Sequence, residues 1–354
     1  LTGVVVAGET KKRVTVDPGK SVEVRFAADA PKVGLATFEF HVSAGAEKDA
    51  VRLERKVNIP MSLEAVAIYG STESASAEKL GDLSAIRDDA GELTLTMAST
   101  ALVGLDAGST QLLEYPYGCT EQLTSRLVPL VALKDLAKDF DLDLPANTND
   151  VVEKTVAKIL THQRFDGSFG FWADSPKPSA WATTYALWGL HQAKAKGHPV
   201  PSTAIDRAAQ YLFRALDGSD PEFSHNVGPF ALYVLAEIGK PDSGRATVLF
   251  DERGKLPLYA KALLTSAMVL GKSDPSSIAE LVRELEASIR LDGNVARTAE
   301  NLGSEYAVYL DSDTRTSAMV LRALLHAKPS HALAEKLAMG LLAAVASGGS
   351  RHRR

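Results

Sequence analysis

The chain has little cysteine and no large excess of charge. Its 354 residues include one cysteine, Cys119, which excludes an internal disulfide framework and leaves the compartment open. A net charge of −5 argues against nucleic acid as the main partner. No hydrophobic run is long enough to span a membrane. The chain opens on strand-like residues, without a signal peptide and without Met, which indicates a processed product or an excised fragment.

The remaining composition is that of a globular protein. Hydrophobic residues make up 45% of the chain and charged residues 23%, which allows a large core and argues against disorder. A length of 354 residues predicts two or three domains. The basic end at residues 351–354 is expected to be disordered rather than to bind a partner.

Residues 1–60 carry the pattern of β-strands. Apolar and polar residues alternate over residues 22–26 and again over residues 38–42, which is the period of a half-buried strand. An Asp-Pro-Gly-Lys sequence at residues 17–20 predicts a turn, and residues 51–59 predict a last strand. Short strands at this spacing predict a β-sandwich module.

Residues 61–98 differ from the segment before them. They hold two further strand candidates, at residues 65–69 and 93–97, which are too few for a complete sheet. We expect this segment to be part of a small β domain whose other strands lie elsewhere in the parent chain.

From about residue 99 the pattern becomes helical, and it is predicted to stay helical as far as residue 346. Trp181, Tyr185 and Trp188 fall on one face at helical spacing. Helix starts are predicted at Asp274, before a proline, and at residues 311–313. Roughly ten or eleven helices with short links predict stacked helical hairpins.

A turn rich in glycine and aromatic residues, at residues 163–172, separates two of these predicted helices. Such turns recur in α/α toroids, in which outer and inner helices alternate around a ring. The last predicted helix, near residues 332–346, runs into a Ser/Gly-rich tail at residues 347–354. The ring is therefore expected to be incomplete at the C-terminus.

The single cysteine lies in an unusual segment, Tyr-Pro-Tyr-Gly-Cys-Thr-Glu-Gln at residues 115–122. A lone cysteine is ordinarily a small buried apolar residue. Here helical spacing follows, which predicts Cys119 at or near a helix N-terminus, where the helix dipole favours a thiolate. Residues three apart share one face of a helical turn, so the Gln122 side-chain carbonyl can reach the Cys119 sulfur. Loss of ammonia would join them as an internal thioester, with Gly118 leaving room for close approach.

A thioester is an acyl group with a good leaving group, so it must be shielded from water. Tyr115 and Tyr117 are the local candidates for this shielding, and a packing role fits them equally well. On exposure, an amine or a hydroxyl of a target would attack the carbonyl. The target would then be fixed to the Gln122 side chain, and the Cys119 thiol would be released.

The segment from Pro116 to Gln122 resembles the Gly-Cys-x-Glu-Gln thioester motif of the alpha-2-macroglobulin and complement superfamily, and its Tyr-Pro-Tyr-Gly lead is most similar to bacterial alpha-2-macroglobulins. The resemblance covers nearly the whole chain. It implies a multidomain β + α protein with a macroglobulin-type β-sandwich at residues 1–60 and the first part of a CUB-like β domain at residues 61–98. Residues 99–346 would form an all-α, α/α-toroid thioester domain.

The resemblance assigns Cys119 and Gln122 to the cross-link, with Glu121 matching the motif and Thr120 at its variable position. It implies no enzyme, cofactor or metal, but a single-use protease inhibitor that captures attacking proteases through their lysine amines. It also implies further macroglobulin domains in the parent chain. The location would be periplasmic or at the cell envelope, with membrane contact only through a lipid anchor elsewhere. His225 lies in roughly the loop that carries an acyl-transfer histidine in complement proteins, although a plain loop histidine fits it better.

Other interpretations stay open. A complement-like thioester protein would tag surfaces without a protease-sensitive bait region. A toroid-fold terpene cyclase would need an acidic cluster, for which Asp311 and Asp313 are the nearest case, and a prenyltransferase would need zinc ligands at metal spacing. A Cys/His hydrolase would need a histidine beside Cys119. An interaction domain with a spent thioester would carry glutamate at position 122.

Overall fold

The computed structural model describes residues 3–58, 118–140, 146–218, 225–300 and 312–346, and also the single residues 75, 77, 79, 93, 95, 97, 144, 223 and 302. The chain divides into two compact units, one holding residues 3–58 and the other holding the helices. The strand predicted at residues 65–69, the tyrosines at 115 and 117, and the tail at residues 347–354 lie outside the described residues. Of the strand predicted at residues 93–97, only residues 93, 95 and 97 are described, so it stays a prediction.

The first unit contains two antiparallel strand pairs. Strand β1 (Val5–Val6) pairs with β2 (Ala28–Asp29). The long strands β3 (Gly34–Ala44) and β4 (Glu47–Val57) form a hairpin along their whole length. Gly45 lies in the two-residue turn between them with φ of 61°, a left-handed conformation that glycine adopts without a steric cost.

The strand predicted at residues 38–42 is confirmed, because it lies within β3. The strand predicted at residues 51–59 is confirmed as far as Val57, where β4 ends, and residue 59 lies outside the described residues. The turn at residues 17–20 is also confirmed, since the Lys20 N–H donates to the Asp17 carbonyl over 3.0 Å. The strand predicted at residues 22–26 is wrong: this segment pairs with no described strand. Alternation predicts which face a strand would bury, but a strand also needs a partner. The second sheet of a sandwich stays a prediction.

The second unit is helical. Its described residues form ten α-helices: α1 Thr120–Phe140, α2 Thr148–Leu160, α3 Ala180–Ala195, α4 Ser202–Asp217, α5 Gly228–Glu237, α6 Ser243–Asp251, α7 Leu258–Leu270, α8 Pro275–Ala287, α9 Asp313–Ala327 and α10 Ala334–Ala346. None of these helices is both long enough and apolar enough to cross a membrane.

The helices alternate between an inner and an outer layer. The odd-numbered helices pack side by side in order, α1 on α3, α3 on α5, α5 on α7 and α7 on α9, and each even-numbered helix packs on the odd-numbered helix before it. Inner helices such as α5 are buried on nearly all sides. The outer helix α4 instead has one apolar stripe that includes Ala208 and Leu212. This alternation is the one predicted for stacked helical hairpins.

Two helix starts carry the expected kind of cap. Asp274 accepts from the Ser277 N–H at the start of α8, as predicted. At the start of α9, Ser312 and not an aspartate is the cap, because its side-chain oxygen accepts from the Arg315 N–H over 3.1 Å. Both bonds satisfy N–H groups that the helix itself leaves unpaired.

The prediction of helix throughout this region is wrong at residues 290–297. Strands β5 (Arg290–Asp292) and β6 (Val295–Arg297) form a short hairpin there, with Gly293 at φ of 58° in the turn. A two-residue Gly-Asn loop between two short strands is a hairpin signal that the helical period obscured. The hairpin packs on α10 so closely that a Cβ at Gly340 would lie 1.9 Å from the Ala296 carbonyl oxygen.

Candidate functional site

Cys119 and Gln122 meet at the start of α1. The helix begins at Thr120, and the Cys119 carbonyl accepts from the Leu123 N–H over 2.9 Å. The Gln122 side-chain oxygen Oε1 accepts from the Cys119 backbone N–H over 3.3 Å, and the Gln122 backbone N–H points at Cys119 Sγ over 3.4 Å. This is a capping box, in which the third helical residue reaches back to the residue that caps the helix. It brings the Gln122 carboxamide to the cysteine.

The Cys119 thiol is buried, and burial raises its pKa above the ordinary value for a cysteine. The neighbouring Glu121 carboxylate raises the pKa further, while hydrogen bonds from the backbone N–H groups of Gln122 and Glu121 act in the opposite direction. The N–H groups at the helix start thus act in the direction expected for a helix N-terminus, while burial is the larger influence and raises the pKa.

Thr120 fixes the start of α1 to the turn at residues 163–172. Its backbone N–H donates to the Phe171 carbonyl over 2.7 Å, and its hydroxyl donates to the Gly170 carbonyl over 2.5 Å. The same hydroxyl oxygen lies 2.9 Å from His162 Nδ1. Thr120 lies at the variable position of the motif, and no pattern in the neighbouring sequence predicts these contacts.

The turn at residues 163–172 is itself held rigidly. Asp166 accepts from both the backbone N–H and the hydroxyl of Ser168, over 3.0 and 2.7 Å. The Arg207 guanidinium from α4 donates to two carbonyl oxygens of the turn, over 2.6 and 3.0 Å. Gly167 has φ of 93°, and a Cβ there would lie 2.2 Å from the Arg207 carbonyl oxygen. This close approach requires glycine.

Glu121 connects the site to a row of contacting aromatic rings, called the aromatic ladder below, which runs along α3. Its carboxylate accepts from the Ser125 hydroxyl over 2.6 Å, and Ser125 Oγ lies 3.0 Å from the Tyr185 hydroxyl. Burial raises the pKa of Tyr185, so its hydroxyl stays protonated at neutral pH. The ladder consists of successive ring contacts at centroid distances of 6.4, 5.0, 5.9 and 6.2 Å, through Phe171, Trp181, Tyr185, Trp188 and Phe230.

A pocket of about 240 Å³ lies beside this ladder. It is lined by Val128, Pro129, Trp181, Tyr185, Trp188, Asn226, Phe230, Tyr259, Leu263, Arg315 and Met319. None of these lining residues is a carboxylate, so the pocket offers no acid to protonate an alkene or to bind a metal diphosphate. Asp313, from the acidic cluster considered above, instead accepts from the Glu300 backbone N–H over 3.0 Å. The described residues therefore give no support to a cyclase.

The other predicted site residues have different outcomes. His225 pairs with Glu252 over 3.2 Å, and no described hydrogen bond joins it to the motif. Gly118 is not in a left-handed conformation, and no described atom lies within 4 Å of where its Cβ would stand, so the room expected there for close approach stays a prediction. In the described part of the chain, no imidazole hydrogen-bonds Cys119 Sγ, and no three His, Cys, Asp or Glu side chains are placed to hold a metal ion.

In comparisons with known proteins, the chain matches alpha-2-macroglobulins. Residues 91–224 match the family model of the "A-macroglobulin TED domain". The chain is 26% identical over 240 residues to an alpha-2-macroglobulin homolog of Yersinia pestis, a match that covers 66% of this chain and 12% of that protein. The chain thus spans about a tenth of the length of the curated relatives it matches.

Two solved structures share its fold. The structure of native Escherichia coli alpha-2-macroglobulin from domain MG7 to the C-terminus superposes with a TM-score of 0.56 at 18% identity, over 98% of this chain and 56% of that one. Salmonella alpha-2-macroglobulin reacted with methylamine gives a TM-score of 0.57 at 19% identity, over 98% of this chain and 23% of that one.

Proposed function

Because this chain belongs to the alpha-2-macroglobulin family, we propose that Cys119 and Gln122 form an internal thioester. The observation that carries this proposal is the capping box at the start of α1. There the Gln122 carboxamide oxygen lies 3.3 Å from the Cys119 backbone nitrogen, and the Cys119 sulfur lies 3.4 Å from the Gln122 backbone nitrogen. Ordinary helix geometry thus holds each reacting side chain against the backbone of the other residue before any bond forms.

Formation of the thioester is a simple acyl transfer. The Cys119 sulfur attacks Gln122 Cδ, the C–N bond of the carboxamide breaks, and the thiol proton leaves with the amide nitrogen as ammonia. During the attack the carbonyl oxygen becomes an oxyanion, and the Cys119 backbone N–H that already faces Oε1 can stabilise it. The thiol is protonated at neutral pH, because burial raises its pKa. This proton must therefore move during the reaction.

In the reaction with a target, the Cys119 sulfur changes from the nucleophile to the leaving group, and the Gln122 carbonyl carbon remains the electrophile. A lysine amine of the target attacks the Gln122 carbonyl carbon, the C–S bond breaks, and the proton of the amine passes to the Cys119 sulfur. The target is left in an amide bond to position 122. His225, which is paired with Glu252, is not needed for this direct route.

For the whole protein we propose a broad endopeptidase inhibitor that captures proteases covalently through this thioester. The layout would comprise a macroglobulin-type sandwich at residues 1–60, part of a CUB-like domain at 61–98 and a thioester domain at 99–346. The location would be periplasmic or at the cell envelope. Support comes from the family and from the site geometry. A complement-like protein that tags surfaces is the second candidate, and it would not need cleavage of a bait region.

Covalent incorporation of a labelled primary amine tests the site. The chain should take up one amine, at residue 122, as mapped by peptide mass spectrometry. Cys119→Ala removes the leaving group and should abolish uptake. Gln192→Ala, at a glutamine on α3 whose side-chain nitrogen donates to the Glu237 carboxylate over 3.1 Å, is the matched control and should leave uptake unchanged. Uptake that persists in Cys119→Ala would contradict the proposal.

The parent protein separates the two candidate functions. Incubation with a protease should give covalent capture only after the inhibitor has been cleaved, since the trap needs a trigger. Capture of surfaces or hydroxyl compounds without cleavage would favour the tagging function instead.

A further inference from the structure

We propose that Thr120 and His162 are positioning residues for the thioester. Thr120, at the variable position of the motif, holds the start of α1 on the turn at residues 163–172, and His162 fixes the direction of the Thr120 hydroxyl. This inference rests on the proposed function, and it adds to it the residues that keep Cys119 and Gln122 in place.

Three hydrogen bonds converge on Thr120, which is fully buried. Its backbone N–H donates to the Phe171 carbonyl over 2.7 Å, and its hydroxyl donates to the Gly170 carbonyl over 2.5 Å. His162 Nδ1 lies 2.9 Å from the hydroxyl oxygen. The first backbone N–H groups of a helix have no partner within the helix, so its start frays unless something outside holds it. Here these bonds do so, one residue after Cys119.

The geometry also assigns which ring nitrogen of His162 carries the proton. Thr120 has one hydroxyl proton, and the short contact to the Gly170 oxygen uses it. The Thr120 oxygen must then accept, so His162 Nδ1 carries the proton that it donates. His162 is only 2% exposed, and burial lowers its pKa below the ordinary value for histidine, with Lys158 acting in the same direction and Asp174 against it. At neutral pH it is therefore a neutral donor.

The consequence concerns the reactive pair. The contacts between Cys119 and Gln122 are those of the first turn of α1, and they exist only while that turn is formed. If the start of α1 frays, the Gln122 carboxamide loses its contact with the Cys119 backbone N–H and water reaches Cys119. Loss of the anchor should thus affect thiol exposure and thioester formation more than it affects the stability of the whole helical unit.

Alkylation of Cys119 tests this inference in the full chain. Each variant is first treated with methylamine, so that any thioester is opened, and the thiol is then labelled with iodoacetamide. Thr120→Val keeps the shape but loses both hydroxyl bonds, and it should label about five times faster or more. Thr120→Ser keeps the hydroxyl and should label within about twofold of the unaltered chain.

Thr265→Val is the matched control. Thr265 is equally buried, in α7, and its hydroxyl bonds only to the Lys261 carbonyl within its own helix, over 2.8 Å. It should not change the labelling rate. Equal labelling rates in Thr120→Val and Thr265→Val, at matched melting temperatures, would overturn the inference.

A second variant covers the case in which Thr120→Val does not fold. His162→Phe keeps the size of the ring and leaves the Thr120 bond to Gly170, so it should label faster than the unaltered chain and, where both variants fold, more slowly than Thr120→Val. The increase in the double variant should not exceed that in Thr120→Val alone, because both changes remove one shared network. Independent, multiplying effects, or no effect of His162→Phe, would count against the inference.

Intact mass of the untreated chain separates this inference from the proposed function. If the unaltered chain has already lost one ammonia, the Thr120→Val chain should contain a smaller fraction that has done so. If the unaltered chain keeps its plain mass, the thioester proposal fails, but the labelling rates still decide whether Thr120 positions Cys119.

Discussion

At the scale of single residues, the chemistry depends on the burial of Cys119. Burial raises the pKa of the thiol, and the Glu121 carboxylate raises it further. A buried sulfur is also less accessible to other molecules. It contacts the Gln122 backbone N–H, and the Gln122 carboxamide oxygen lies at the Cys119 backbone N–H, so this carboxamide is an electrophile close by within the molecule. Burial thus favours reaction inside the molecule over reaction with solvent.

Glu121→Gln tests this electrostatic balance. The substitution removes a charge that raises the pKa of the Cys119 thiol, while burial continues to raise it. After methylamine treatment, the alkylation rate of Cys119 should therefore reach half its maximum at a lower pH than in the unaltered chain. Glu335→Gln, at an exposed glutamate on α10, is the control and should not move the profile. A profile unchanged in Glu121→Gln would show that Glu121 does not influence the sulfur.

The reactive pair could be predicted from sequence, but its support could not. Cys119 and Gln122 are three residues apart, so helix geometry alone brings them together. His162 lies 42 residues from Thr120, and only the packing of the turn against α1 brings them into contact. Burial of the Cys119 thiol, which raises its pKa, likewise depends on packing that the local sequence does not show.

At the scale of elements, the turn at residues 163–172 is the platform on which the reactive helix begins. It receives bonds from α4 through Arg207 and gives two acceptors to Thr120. Gly167 permits this arrangement, because α4 passes directly against its α-carbon. A change within the turn should therefore reach the reactive pair even though it touches neither residue.

Gly167→Ala tests the role of the platform. An alanine at this position would have to adopt φ of 93°, and its Cβ would lie 2.2 Å from the Arg207 carbonyl oxygen, so the turn must move. We expect a loss of about 3 kcal/mol or more in the free energy of unfolding, measured by urea denaturation. Gly197→Ala is the matched control, with φ of 85° but no described atom within 4 Å, and should cost only about 1 to 2 kcal/mol. Equal losses in the two variants would contradict the close-packing argument.

The helical elements could be predicted because their apolar period and caps are local features. The cap at Asp274 and the α10 helix at Ala334–Ala346 show this. The hairpin of β5 and β6 was missed because its strands have three residues each, too short to show a period of their own. The unpaired segment at residues 22–26 shows the opposite failure, since it has the pattern of a strand but no described partner.

At the scale of the whole molecule, the helical unit contains several histidines held in their neutral form. Burial lowers the pKa of His162, His191, His198 and His326 below the ordinary value of 6.5. The unfolded chain therefore takes up protons at these positions before the folded chain does. Their contribution to stability is fully present above about pH 6.5 and declines as the pH falls below it.

Thermal unfolding at a series of pH values tests this prediction. The melting temperature should be steady between about pH 8 and about pH 7, and it should fall between about pH 6.5 and about pH 5. His162→Phe should weaken this acid dependence, because one of the groups that titrates on unfolding is gone. A melting temperature that stays constant down to about pH 5 would show that the buried histidines do not oppose protonation.

The intact mass of the purified chain tests the central claim most directly. If Cys119 and Gln122 are joined, the chain weighs less than its sequence requires by one ammonia, and no thiol reacts with a thiol reagent. Methylamine should then raise the mass by one methylamine and release one titratable thiol. A mass equal to that of the plain sequence, with a thiol that is free before any amine is added, would contradict the account.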